Sequence, residues 1–164
     1  MALENPLWHY VLRLYGAAGV ESSCLALQRQ GAAVNALLLA CWAGQQGIPL
    51  TAARWRQLPV SWRSDVVEPL RQLRFRVREQ RQQQPELDAC YRALKQAELA
   101  CEQVELMQLH AALVTLDWQP DAGSVVETLI RDNLAAYCDH AGVAQNTDLL
   151  ETLVRATLET PDVG

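Results

Sequence analysis

The stretch from Ala32 to Ala43 is apolar except for Asn35, and the helix it implies, about Ala33 to Gln46, has no polar face. A helix apolar nearly all round must be contacted from several sides, so it belongs at the centre of its domain. It is also far shorter than the roughly 20 apolar residues that a membrane span requires. One buried central helix is therefore the organising expectation for the fold.

The flanking sequence supplies the surrounding layer. Asn5 caps and Pro6 opens a first helix in which Leu7, Tyr10, Val11 and Leu14 recur at helical spacing, ending near Gly16. A second runs from Glu21 to Gln30, and Gly31 and Gly47 are placed to stop the second and third. After Ile48-Pro49-Leu50, Thr51 caps a short helix reaching Leu58, which Pro59 ends. Ser61 is expected to cap a long helix from Trp62 to about Gln83, with Val66, Leu70, Leu73 and Val77 as its apolar seam. Pro69 should bend or divide that helix between Asp65 and Pro69. Across the turn Gln82-Gln83-Gln84-Pro85 lies the longest helical pattern, Leu87 to about Leu116, so the two segments should form an antiparallel hairpin. Asp117 to Gly123 reads as a turn, Ser124 as the cap of a helix to His140, and Thr147 or Asp148 as the cap of a last helix to Leu158. Strand signals are almost lacking. The reading is all-α: a single helical bundle of about seven to eight helices over residues 1–159, with a central apolar helix, a long antiparallel hairpin and a frayed tail at 160–164.

Composition narrows the classes of function. With 50% hydrophobic and 20% charged residues the chain is neither disordered nor fibrous, and a net charge of -5 opposes general attraction to nucleic acid or anionic lipid. An acid at Glu4, where a signal peptide carries a basic region, points to a cytoplasmic protein. Cys24, Cys41, Cys90, Cys101 and Cys138 are scattered and odd in number, which suits reduced thiols.

The charge is unevenly spread. Residues 54–81 hold eight of the 14 basic residues and only Asp65, Glu68 and Glu79 as acids, so this segment is locally positive in an acidic chain. On a helical wheel Arg63, Arg71, Arg74, Arg78 and Arg81 form a stripe beside the apolar seam. Opposite it, Glu98, Glu102 and Glu105 fall within the apolar arc of the longest helix. A buried carboxylate must be paired, hydrogen-bonded, protonated or bound to an ion. A turn centred near Gln84 sets Arg63 against Glu105 and Arg71 against Glu98, so ion pairing across the hairpin is the structural reading. The functional alternative is a small-molecule binding protein or enzyme with a pocket between hairpin and central helix, in which the arginines clamp an anionic ligand such as a phosphate or carboxylate, or the tryptophans line a site for an apolar one. Its candidate residues are Asn35, Trp42, Trp62, Arg63, Arg71, Arg74, Glu98, Glu102 and Glu105. Asn35, flanked by Leu38, Leu39 and Trp42, must be satisfied inside the bundle in either case.

Enzyme motifs are missing: there is no nucleophile elbow, Gly-rich phosphate loop or Asp-rich pair, and no His stands three residues after a Glu as in carboxylate-bridged metal bundles. No cofactor or metal is implied. Phe75 points away from the expected seam, among Arg71, Arg78, Glu68 and Glu79, where a monomer gains little from a large ring. Phe75 and Arg78 are thus the candidate partner-binding residues. The preferred function is a non-enzymatic helical module for protein–protein interaction, with a protein partner, no membrane, and little place for nucleic acid beside the acidic helices.

Ordered blocks carry a resemblance. Leu7-Trp8 with Leu14-Tyr15, Gly19-Val20 with Cys24-Leu25-Ala26-Leu27-Gln28, Val34-Asn35 with Leu37-Leu38-Leu39 and Trp42, Trp62-Arg63 with Val66-Val67, Pro69-Leu70-Arg71 with Leu73-Arg74, and Glu98-Leu99 with Glu102 resemble an uncharacterised proteobacterial family, domain-of-unknown-function family 2390. The resemblance covers roughly residues 7–110 and implies kinship without chemistry. Ala33 departs from the acid the family pattern implies before Val-Asn, which removes support for a cation held by an Asp-Asn pair there.

Overall fold

Asn5 starts the first helix as its chemistry predicts in the computed structural model of the chain, which describes residues 2–116 and 118–161. Its side chain accepts a hydrogen bond from the Trp8 N–H at 3.1 Å, and α1 runs Pro6–Tyr15. Next come α2 (Val20–Arg29) and α3 (Val34–Gln45). Gly31 and Gly47, with φ of 103° and 76°, take the left-handed conformation that stops each helix where the sequence places its end.

α3 is the centre of the bundle. Every residue from Leu37 to Gly44 is buried, and α1, α2, α6, α7 and α8 all pack on it. The closest approach is to α7 (Val126–Ala141): a Cβ added to Gly44 would lie 2.7 Å from Ile130 Cγ1 and 2.8 Å from Ile130 Cα. Only glycine lets the two backbones come together there.

Thr51 caps a single turn, α4 (Ala52–Trp55), which ends short of the expected Leu58. The long helix already includes Ser61, so Ser61 is not its cap, and the chain then widens into a π-turn over Arg63–Val67. Pro69 is the physical cause. It has no N–H and its ring presses on the carbonyl four residues back, so the turn accommodates it by widening, with the Glu68 N–H bonding to the Arg63 carbonyl. α5 (Glu68–Gln80) follows, then a 3₁₀ turn (Pro85–Leu87) and the 28-residue α6 (Asp88–Thr115), completing the antiparallel hairpin.

The expected seam is corrected by this geometry. The widened turn rotates the register, so Val67 is fully buried, Val66, Leu70 and Val77 are half-buried, and Leu73 is 41% exposed. In place of the seam, Arg71 is the buried residue of α5.

Two caps also move. The Ser124 hydroxyl donates to the Asp121 carboxylate at 2.7 Å and does not cap α7, which begins after Val125. Asn146, one residue ahead of Thr147, caps α8 (Thr147–Glu159) by accepting from the Leu149 N–H. The end of α8 is tied to the core, since Gln45 Nε2 donates to the carbonyls of Thr157 and Thr160 at 3.1 and 2.8 Å. Asp117 of the expected turn and residues 162–164 of the expected tail lie outside the described residues. Among the described residues no helix is long and apolar enough to cross a membrane.

Candidate functional site on the helical hairpin

Glu98, Glu102 and Glu105 follow one another at helical spacing, so α6 turns all three toward α5 and α3. Glu98 and Glu105 are 5% and 6% exposed, and Arg71 is 5% exposed. Burial this deep is sustained by hydrogen-bonded pairing. Arg71 Nε donates to Glu98 Oε1 at 2.7 Å, and its Nη2 donates to Glu102 at 2.5 Å. Arg74 Nε donates to the other Glu98 oxygen. Arg63 Nη1 reaches both oxygens of Glu105 at 3.4 Å, and its Nη2 binds Glu68. Arg81 and Asp88 close the hairpin's tip at 2.8 Å.

The pairs Arg63 with Glu105 and Arg71 with Glu98 are those that the hairpin arithmetic places together. Asn35 completes the network from α3, its amide donating to Glu105 Oε2 at 2.7 Å and to the Glu102 carbonyl at 3.1 Å. The Trp62 indole N–H donates to the Cys101 carbonyl at 2.9 Å, and the Trp42 ring leans on His110 at 5.7 Å. All nine candidate ligand-binding residues therefore lie on α6 or directly against it. The guanidiniums of Arg63, Arg71 and Arg74 are spent on glutamates. Sequence reasoning missed Glu68, which binds Arg63 and also stands 3.5 Å from Arg71.

Three guanidiniums against Glu68, Glu98, Glu102 and Glu105 leave the cluster one negative charge in excess. Glu98 and Glu102 resolve that excess differently. Burial pushes the Glu98 carboxyl up, but hydrogen bonds from Arg74 and Arg71 outweigh it and leave Glu98 below its ordinary pKa. Glu102 is pushed up by burial first, and the charges of Glu98 and Glu105 add to this against the pull of Arg71, so it ends above its ordinary pKa. Arg71 loses by burial and gains more from Glu98, Glu102 and Glu68, so its proton is held more tightly.

A prediction follows from the contrast. Relative to the unfolded chain, the fold favours ionisation of Glu98 and disfavours that of Glu102. Glu102→Gln, which keeps an acceptor for Arg71, should leave the unfolding midpoint unchanged or slightly raised at pH 7. Glu98→Gln should lower it by about 1–3 kcal/mol of stability, the range of a charge-assisted hydrogen bond. Urea unfolding of both variants checks the order. Equal losses would mean that the two carboxylates share one state.

Phe75 and Arg78 stand apart from this network. The guanidinium carbons of Arg74 and Arg78 lie 4.7 and 4.8 Å from the Phe75 ring centroid, so the half-buried ring is held between two cations. Among the described residues the main packing of α5 is on α6 and the π-turn, whereas that of α7 and α8 is on α2, α3, α4 and each other. The register that pairs Arg71 and Arg74 with Glu98 sets Lys95 level with Phe75, and Leu99, 56% exposed, follows one helical turn along α6. Arg78 and Lys95 are exposed beside them.

Elsewhere an open cleft of about 390 Å³ lies between the start of the chain, Ala2 to Pro6, and the last turns of α6, where Met107, His110, Ala111 and Val114 form its wall. Among the described residues no group of three or more His, Cys, Asp or Glu is placed to hold a metal ion.

A family model described as a protein of unknown function (DUF2390) matches residues 6–109. No curated protein and no solved structure matches the chain.

Proposed function

We propose, for a chain that belongs to the DUF2390 family, that it is a helical protein–protein interaction module whose α5–α6 hairpin is the docking arm. The observation that carries this reading is Phe75. A large ring is kept half-exposed by two flanking guanidiniums on a helix that packs chiefly on its hairpin partner and the adjoining π-turn. Leu99 extends the apolar surface, and Arg78 and Lys95 frame it with positive charge. Aromatic and arginine side chains are the types that dominate binding energy at interfaces, and an apolar centre with a charged rim is the usual plan of such a surface. The occupant that fits is an acidic protein segment presenting one or two apolar side chains, for which the positive rim supplies steering.

The ion-pair network is the arm's internal brace in this reading. Charged pairs hold the two helices in register and leave apolar side chains outside, the reverse of an ordinary hairpin.

A pull-down from bacterial lysate with wild type, Phe75→Ala and Arg78→Ala tests the proposal. Proteins captured by wild type should be lost from Phe75→Ala, reduced in Arg78→Ala and released by about 0.5 M salt, where the Debye length falls below that at physiological ionic strength. The segment protected on the captured protein should be acidic. Identical partner sets for all three proteins, or none, would sink the reading, provided the variants melt like wild type.

A further inference from the structure

α6 carries a second pattern on the side it turns away from α5. Cys90, Ala93, Ala97 and Ala100 lead into Val104, Met107, Ala111 and Val114 with spacings that alternate between three and four, an unbroken heptad stripe. The fold leaves this stripe largely open. Its first four residues are exposed, Val114 is 66% exposed, and the three between are half-buried, Met107 and Ala111 along the cleft behind the chain's start. At 1.5 Å per residue it is about 37 Å long, more than a stray apolar contact requires.

We propose that this stripe is a homodimer interface in which α6 packs antiparallel on α6 of a second copy, about a twofold axis near residue 102. Side-chain size selects the orientation. The N-terminal half is small and the C-terminal half bulkier, so antiparallel pairing sets Ala100 against the partner's Val104, Ala97 against the partner's Met107 and Cys90 against the partner's Val114. Small meets large in three of the four layers, as close packing demands, whereas parallel pairing would stack small on small and large on large. Each layer also matches an a position with a d position. Charge selects the partner. The positions flanking the stripe are Gln96, Gln103 and His110 on one side and Leu94, Cys101, Gln108 and Thr115 on the other, with no Asp, Glu, Lys or Arg in a chain where 20% of residues are charged. Flanking charges are what set apart one coiled-coil partner from another, and here nothing repels an identical helix. The twofold makes one stripe serve as both halves of the contact. The cleft completes the argument, because its wall of Met107, Ala111 and Val114 is open where the partner's Ala97, Ala93 and Cys90 would enter.

This surface lies on the opposite flank of the hairpin from Phe75, so the dimer stands or falls independently of the proposed docking of an acidic partner. Sedimentation equilibrium of the full chain decides it. Wild type at about 100 μM should have twice the 18.3 kDa chain mass and should dissociate on dilution. Ala97→Glu should weaken association at least about tenfold, the equivalent of roughly 1.4 kcal/mol, because it sets two carboxylates in the apolar seam. Phe75→Ala and the outward Gln72→Glu should leave the mass unchanged. In a Cys90→Ala, Cys101→Ala background, a mixture of Ala100→Cys and Val104→Cys chains should cross-link on oxidation, while neither chain cross-links alone. A monomer at 100 μM, or wild-type association of Ala97→Glu, overturns the dimer. Cross-linking of each single variant with itself overturns the antiparallel arrangement.

Discussion

Glu98→Leu is expected to destabilise the fold by about 3–5 kcal/mol in urea unfolding at pH 7, the cost of stranding a buried charge. One carboxylate serves two guanidiniums, Arg71 at 2.7 Å and Arg74 through its other oxygen, so its removal sets leucine against both: Arg74 loses its glutamate and the buried Arg71 Nε loses its acceptor, with Glu102 and Glu68 left only to its Nη groups. Arg74, 15% exposed at its side chain, has a route to water, but Arg71, at 6%, does not. The double variant Arg71→Met with Glu98→Leu should therefore recover much of the loss, because apolar residues of similar volume replace a buried ion pair at little cost. A double-mutant cycle should return a coupling of about 1–3 kcal/mol. The opposite result has a functional meaning. Arg71→Met that leaves stability unchanged, with no coupling to Glu98, would mean that the arginines are not held by the glutamates. A thermal shift by inorganic phosphate, lost in Arg71→Met, would then place an anion site in the hairpin in preference to the brace.

These pairings were legible in the sequence because helix periodicity is rigid once the turn is located. Gln84 fixes the hairpin's centre, three glutamates in an apolar arc demand partners, and residues at matching distances from the turn supply them. The central place of α3 was legible for a similar reason, since a helix without a polar face has one place to go. What was not legible is the side of α5 that faces inward. A wheel drawn at 100° per residue from Val66 to Val77 assumes an unbroken α-helix, and the π-turn at Arg63–Val67 adds a residue that rotates everything after it. Pro69 signalled a disturbance there without showing its sign. The moved caps have a local cause: Asp121 competes for the Ser124 hydroxyl, and Asn146 precedes Thr147 with an equally good side-chain acceptor. Phe75 stands out in the sequence as a large ring among charges, and the structure adds the two guanidiniums that hold it. The stripe on α6 was in plain view as spacing, but Ala and Cys at helical positions read as helix formers until their exposure is known.

Asn133→Leu is expected to cost about 3 kcal/mol or more, although Asn133 lies outside the family-matched residues and touches no candidate ligand. Its residue is 1% exposed, with Oδ1 accepting from the Leu50 N–H at 2.6 Å and Nδ2 donating to the carbonyls of Ile48 and Ala40 at 2.9 and 3.3 Å. One amide thus satisfies three backbone groups around the Ile48-Pro49-Leu50 break, where the chain leaves α3 for the hairpin. Leucine is nearly isosteric and would leave the Leu50 N–H and the Ile48 carbonyl without this partner, each at about 1–3 kcal/mol before relaxation, while the Ala40 carbonyl keeps its place in the α3 ladder. A signal existed in the sequence: Asn133 stands four residues from both Leu129 and Tyr137, inside the apolar arc of α7. Asn133→Asp separates the roles of the two amide atoms. It keeps the acceptor for Leu50 but sets a carboxylate against two carbonyls, so the folded chain should favour the protonated acid and raise its pKa above the unfolded value of about 3.9. The sign is then fixed. Below the unfolded pKa the acid is neutral in both states and donates one of the lost hydrogen bonds. As pH rises toward the raised folded value, ionisation is available only to the unfolded chain, and stability relative to wild type declines. Urea unfolding between pH 3.5 and 7 should show that decline for Asn133→Asp and a pH-independent deficit for Asn133→Leu. A flat difference for both would mean that water reaches the carbonyls of Ile48 and Ala40, and that the break is held by packing instead of by this side chain.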